Sequence, residues 1–188
     1  MGYHLRIERR DKASFITART KNSEMWFANN VKVEQLALAR LAQYTDKYCV
    51  HLYAFALEGS HYHQAARFPL LNRSDFARDF NSTVARGVDR LTPNYPGGSL
   101  WSRRYSGEII AGDPDIEQQF FYTVLQPVKD GLVSKISEYP FYNGFTRSKH
   151  KEASHRYLAG DLTVECPPGT YRPPLWLAVI PAGPFSVI

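Results

Sequence analysis

Residues 47–69, KYCVHLYAFALEGSHYHQAARFP, decide the fold. Val50, Tyr53 and Phe55 supply the β-branched and aromatic content of a strand, Gly59-Ser60 supplies a turn, and Tyr62 to Phe68 is extended enough to return antiparallel. The stretch reads as a hairpin whose second strand opens on His61-Tyr62-His63. Side chains alternate along a strand, so the two imidazoles leave one face about 6.6 Å apart at the backbone, near enough to converge on one ion. The pair alone is also compatible with two solvated imidazoles on a half-exposed hairpin. A third ligand would decide between these.

Working outward, Asn29 or Asn30 caps a helix running to about Asp46, in which Val33, Leu36, Ala37, Leu41 and Tyr44 recur at helical spacing. Ahead of it, Ser14 to Thr20 has the composition of a first strand, preceded by a basic arm that holds Arg6, Arg9 and Arg10. After the hairpin, Ser74 caps a second helix whose Phe76, Phe80, Val84, Val88 and Leu91 form a stripe, with Arg78, Arg86 and Arg90 off it. Ser99 to Ile110 then reads as a fourth strand with Trp101, Arg103, Arg104 and Tyr105 at its entrance, a mixture that suits bases and phosphates together. The order strand, helix, strand, strand, helix, strand is α+β. It is the ferredoxin-like βαββαβ arrangement, with helices on one face of an antiparallel sheet and the other face open.

A third helix follows. Asp113 caps it, Pro114 takes the first position, and it runs to Gln126 before Pro127. On a wheel, Ile116, Phe120, Phe121, Val124 and Leu125 cover one half, whereas Gln118, Gln119, Tyr122, Thr123 and Gln126 cover the other. Tyr122 is an aromatic on the polar half, and Gln126 lies one turn beyond it, so a phenol and an amide oxygen project side by side. His61, His63 and Gln126 together make an N,N,O set suited to Mn2+ or Mg2+, beside a phenol that could attack a phosphodiester. Cation binding there needs neutral imidazoles and should weaken as pH falls through about 6.5.

Charge agrees with a polyanionic partner: the net charge is +5, and 15 of the 23 basic residues are Arg, which suits bidentate phosphate contacts. Cys49 and Cys166 give neither a disulfide framework nor a zinc signature and fit a reducing cytosol. No stretch reads as a secretion signal or membrane span, so a cytoplasmic protein is expected. Six of the 12 prolines fall after Arg147, where regular structure should thin out.

Three motifs, His61-Tyr-His63, Leu100 to Ile110, and Tyr122 to Val133 followed by Tyr139-Pro-Phe141, together resemble the REP-associated tyrosine transposases, within the single-tyrosine HUH transposases. The resemblance covers roughly residues 3 to 147. It implies an HUH-type nuclease domain over 1–147, with 148–188 a partly irregular C-terminal extension. It also implies a metal-dependent enzyme that cleaves and rejoins single-stranded DNA near hairpins through a 5′-phosphotyrosine. His61 and His63 match the two HUH ligands, Tyr122 the nucleophile and Gln126 the helix-borne third ligand. Gly59-Ser60 stands where many relatives have Pro-Asn, and Gln126-Pro-Val where Asn-Pro-Val is common. Arg6, Arg9 and Arg10 would grip DNA near the cleavage point, with Trp101, Arg103 and Arg104 as further contacts. The expected partner is single-stranded or hairpin DNA, bound by a monomer or homodimer associated with the nucleoid. Two rivals share the fold: a non-catalytic hairpin-binding regulator, and a mobile-element single-tyrosine transposase.

Overall fold

The computed structural model describes residues 7–140. Arg6, Phe141 and the extension from 148 lie outside that range. Two strands, β2 (His51–Leu57) and β3 (His61–Arg67), form the expected hairpin, closed by a hydrogen bond from Glu58 N to His61 O of 2.8 Å. On its other side β3 pairs antiparallel with β1 (Ala13–Arg19), from Ala13 opposite Arg67 to Arg19 opposite His61. The edge strand β4 (Ser106–Ile110) pairs with β1, giving the order β2-β3-β1-β4. This is the strand order of the expected ferredoxin-like sheet.

Tyr53 is an extra residue in β2: Leu52 faces Ala66 and Ala54 faces Ala65, so the strand bulges between them. The bulge switches the parity of the side chains. Leu52 before it and Phe55 and Leu57 after it all point into the same core, which an unbroken period of two would forbid.

Two helices cover that core face. In α1 (Val31–Lys47), the Asn30 side chain accepts from Val33 N at 3.2 Å, and Val33, Ala37, Leu38, Leu41 and Ala42 are buried. In α2 (Arg73–Leu91), Phe76, Phe80, Val84 and Val88 are each at most 1% exposed, and each such side chain contributes about 1.5–3 kcal/mol by leaving water. A methyl group at Gly87 would sit 2.0 Å from Leu36 Cδ2, so the missing side chain lets the helices approach. Asn72, not Ser74, is the N-terminal boundary residue of α2. Ser74 is instead engaged with Glu8, whose carboxylate accepts from Arg73 N at 3.0 Å and from Ser74 N at 3.3 Å and Ser74 Oγ at 3.0 Å. A remote anion thus satisfies the first amides of the helix.

The second sheet face, expected to be open, carries α3 (Asp113–Val124). Its Ile116 and Phe120 pack against Ala13, Ala54, Ala65 and Ile110, small or apolar side chains that leave room for a helix to lie close. Gly112 is the N-cap in place of Asp113, and its amide donates to Asp115 Oδ2 at 3.0 Å. The helix ends at Val124, and a separate turn, α4 (Gln126–Lys129), follows across Leu125, so Tyr122 and Gln126 stand on two helical pieces.

The fourth strand is shorter than expected because Trp101 turns inward. It bridges Thr20, its Nε1 donates to Asn81 O at 3.0 Å, and its ring packs on Phe27 and edge-on to Tyr62. Among the described residues no helix is long and apolar enough to cross a membrane.

Candidate metal and nucleophile site

The strand register puts His61 and His63 on the α3 face, His61 opposite Arg19 and His63 opposite Thr17. Both imidazoles are buried, at 4% and 6% exposure, so the picture of two solvated rings does not hold. The rings stand perpendicular with centroids 4.8 Å apart, and Phe15 stacks on His63. Each Nδ1 meets a hydroxyl: Thr17 Oγ1 at 3.0 Å from His63, Ser60 Oγ at 3.2 Å from His61. When Nδ1 donates to these hydroxyls, both Nε2 atoms carry free lone pairs, the arrangement by which outer partners orient metal-ligating histidines. Both Nε2 atoms are buried without a hydrogen-bond partner.

Glu58 is the residue that sequence reasoning missed. It is 2% exposed, its Oε1 is buried without a hydrogen-bond partner, and its Oε2 lies 3.8 Å from His61 Nε2. One ligand atom from each of Glu58, His61 and His63 lies within 4.8 Å of the others. The signal available in the sequence was its place three residues before His61, across the Gly59-Ser60 turn.

Burial is the largest influence on all three titratable groups of the cluster. Burial, followed by the nearby Asp130 carboxylate, raises Glu58 to about 7. Burial, followed by Arg19, lowers His61 to about 4. Burial, followed by His61, Arg19 and Lys129, lowers His63 to about 3. The imidazoles therefore stay neutral far below the 6.5 expected from an unperturbed group, and the 3.8 Å approach of Glu58 to His61 is not an ion pair at neutral pH. Two bare nitrogens and a bare oxygen, each costly to leave unpaired in a buried place, form a donor set that fits a divalent cation.

Gln126 is also buried, at 6% exposure, with Nε2 donating to Asp130 Oδ1 at 3.1 Å and Oε1 buried without a hydrogen-bond partner. Asp130, its hydrogen-bond partner, acts electrostatically on both Glu58 and His61.

Tyr122 reaches the site from the solvent side. It is 37% exposed, its ring is edge-on to His63 at 6.0 Å and to Phe15 at 5.7 Å, and Lys129 Nζ lies over it, 4.3 Å from the ring centre. The helical wheel misplaces part of α3: Phe121 and Leu125 are exposed, and Thr123, assigned to the polar half, is fully buried with its hydroxyl donating to Gln119 O.

The expected DNA contacts divide. Arg9 and Arg10 are exposed, with Arg9 paired to Asp11 at 3.2 Å. Arg103 and Arg104 are exposed near the end of β1. Trp101 is built into the rim of the core. Tyr62, whose hydroxyl donates to Asn81 Oδ1, is a core residue at 1% exposure and has no face for DNA.

No protein-family model matches the chain, and no curated protein does. Solved structures do. A REP-associated tyrosine transposase, solved bound to a REP hairpin, is similar with a TM-score of 0.66 at 16% identity, over 88% of this chain and 100% of that one. A putative transposase from Deinococcus radiodurans R1 matches at a TM-score of 0.44 and 17% identity, over 65% of this chain and 95% of that one. At such identities what is shared is architecture: the chain has the fold of the REP-associated tyrosine transposase.

Proposed function

We propose that the protein is a single-stranded DNA endonuclease and strand transferase of the REP-associated tyrosine transposase type, acting beside hairpins. The observation that carries this reading is the pair of bare, buried Nε2 atoms of His61 and His63 with the Tyr122 ring edge-on to His63. The DNA partner is inferred from the similar structure, which is bound to a REP hairpin.

His61 and His63, with oxygens from Glu58 and Gln126, would hold Mg2+ or Mn2+. A bound divalent cation polarises a phosphodiester and offsets charge on the departing oxygen. The Tyr122 oxygen attacks phosphorus, a P–O bond to the phenol forms with loss of the phenolic proton, and the bond to O3′ breaks, its electron pair leaving with O3′, which takes up a proton. The products are a 3′-hydroxyl end and a 5′-phosphotyrosine, and attack by another 3′-hydroxyl runs the step backward and rejoins strands. Thr17 and Ser60 hold the imidazole orientation through this cycle, and the hydrophobic walls of Phe15 and α3 keep water from the buried side of the site.

The test is incubation of the protein with an end-labelled hairpin carrying a single-stranded flank, in Mn2+, followed by a denaturing gel. A covalent adduct that disappears in Tyr122→Phe is expected. Tight hairpin binding with no adduct in the parent protein would refute the catalytic reading and leave a binding protein.

A further inference from the structure

Where β1 ends, across the β1–β3 register from the histidines, a cleft of about 300 Å³ is lined by Thr17, Arg19, Ser102, Arg103, Arg104 and Ser106 among others, and among the described residues its walls hold no carboxylate and no aromatic ring. We infer that this cleft binds the sugar-phosphate backbone of the single strand next to the bond that is cut, and that Arg19 is the residue that positions that phosphate. The inference deepens the proposed function and rests on it.

Position is the first argument. Arg19 lies directly opposite His61 in the β1–β3 register, on the same sheet face, and its charge is felt at His61, His63 and Glu58. Thr17 belongs to both places: its hydroxyl meets His63 Nδ1, and the residue lines the cleft. The cleft and the candidate metal site therefore share β1.

Chemistry is the second. The guanidinium groups of Arg19 and Arg103 beside hydroxyls provide hydrogen-bond forks for phosphate oxygens, while no described residue of the wall is an aromatic platform on which bases would stack. Such a surface suits the backbone of a strand. The backbone is strained there: Asn22 and Ser23, both in the cleft wall, have φ of 55° and 56°, consecutive non-glycine residues in the left-handed region. Segments held in such conformations concentrate at ligand-binding places.

The experiment measures binding of the full chain to two DNA probes across a salt series: a hairpin with a single-stranded flank, and the same hairpin trimmed flush. For Arg19→Gln with Arg103→Gln, the slope of log affinity against log salt should become shallower by about 1.4 on the flanked probe, about 0.7 for each lost single-strand phosphate contact, and stay unchanged on the flush one. Arg103→Gln alone, an exposed loop change that spares the sheet, should carry about half of this. Mn2+ affinity by calorimetry should not fall in either variant. An unchanged slope on the flanked probe, an equal change on both probes, or a loss of Mn2+ affinity would overturn the inference while the proposed function stands. A parent protein that binds neither probe would overturn both.

Discussion

Acidification should destabilise the chelator-treated protein through its two site imidazoles, and replacing them should reverse the sign. Unfolded, each imidazole titrates near 6.5, whereas in the folded chain His61 is held at about 4 and His63 at about 3. Arg19 from β1 and Lys129 from α4 add to the burial effect, and Asp130 opposes it at His61. Below 6.5 the unfolded chain takes up protons that the folded chain refuses, so stability falls as pH falls. Integrated from pH 7 to pH 5, the loss is roughly 2 kcal/mol for each imidazole. Glu58 acts the other way: titrating at about 7 folded against 4.5 unfolded, it adds roughly 2 kcal/mol over the same interval. The parent should therefore lose roughly 2 kcal/mol, while His61→Gln with His63→Gln should gain roughly 2, a gap of about 4 between them. Urea unfolding at pH 7 and pH 5 with chelator present measures this gap directly. Parallel pH profiles for the two proteins would show that the imidazoles are solvated and would remove the basis of the site.

Other outcomes test single residues. Tyr122→Phe should retain Mn2+ binding and hairpin affinity and form no covalent adduct, whereas Tyr139→Phe, which removes a 2.8 Å bond to Leu57 O, should cost about 1 kcal/mol in urea unfolding and keep the adduct. Arg73→Ala should cost about 3 kcal/mol or more, because the guanidinium is 1% exposed and donates to Ser14 Oγ and Ile7 O; a smaller loss in urea unfolding would mean that β1 and α2 are not tied through it. Arg10→Ala should flatten the salt dependence of hairpin binding by up to about 0.9 if it meets a duplex phosphate, and Arg9→Ala by less, since Asp11 already pairs with it.

The hairpin, α1 and α2 were legible in the sequence because periods of two and of 3.6 are written in the residues themselves and Asn30 marks a helix start. The nitrogen half of the site was legible for the same reason, since a His-x-His on a strand must share a face. What the pattern could not carry is contact between segments far apart in the chain. Glu58 and Asp130 meet only because α4 returns to the end of the hairpin, and no spacing announces it. The α3 wheel separates apolar from polar residues but does not say which half touches a sheet of alanines, so Phe121 and Leu125 appear buried on it and Thr123 appears wet. Interleaved arginines make Trp101 look like part of a DNA surface, while the space it fills beside Phe27 exists only after folding.

The bulge at Tyr53 confines irregularity to the sheet's margin. One strand carries a surplus residue, and it is an outer one, so the mismatch is absorbed where a single neighbour has to accommodate it. The inner β1–β3 ladder runs unbroken from Ala13 to Arg19, and the pairing of Thr17 with His63 and of Arg19 with His61 depends on that continuity. A one-residue insertion in β2 therefore has a place to go, whereas the same insertion in β1 would turn Thr17 and Arg19 to the opposite face and present Ile16 or Ala18 to the imidazoles. Tolerance to length change is asymmetric across the sheet, high at the rim and absent along the central seam.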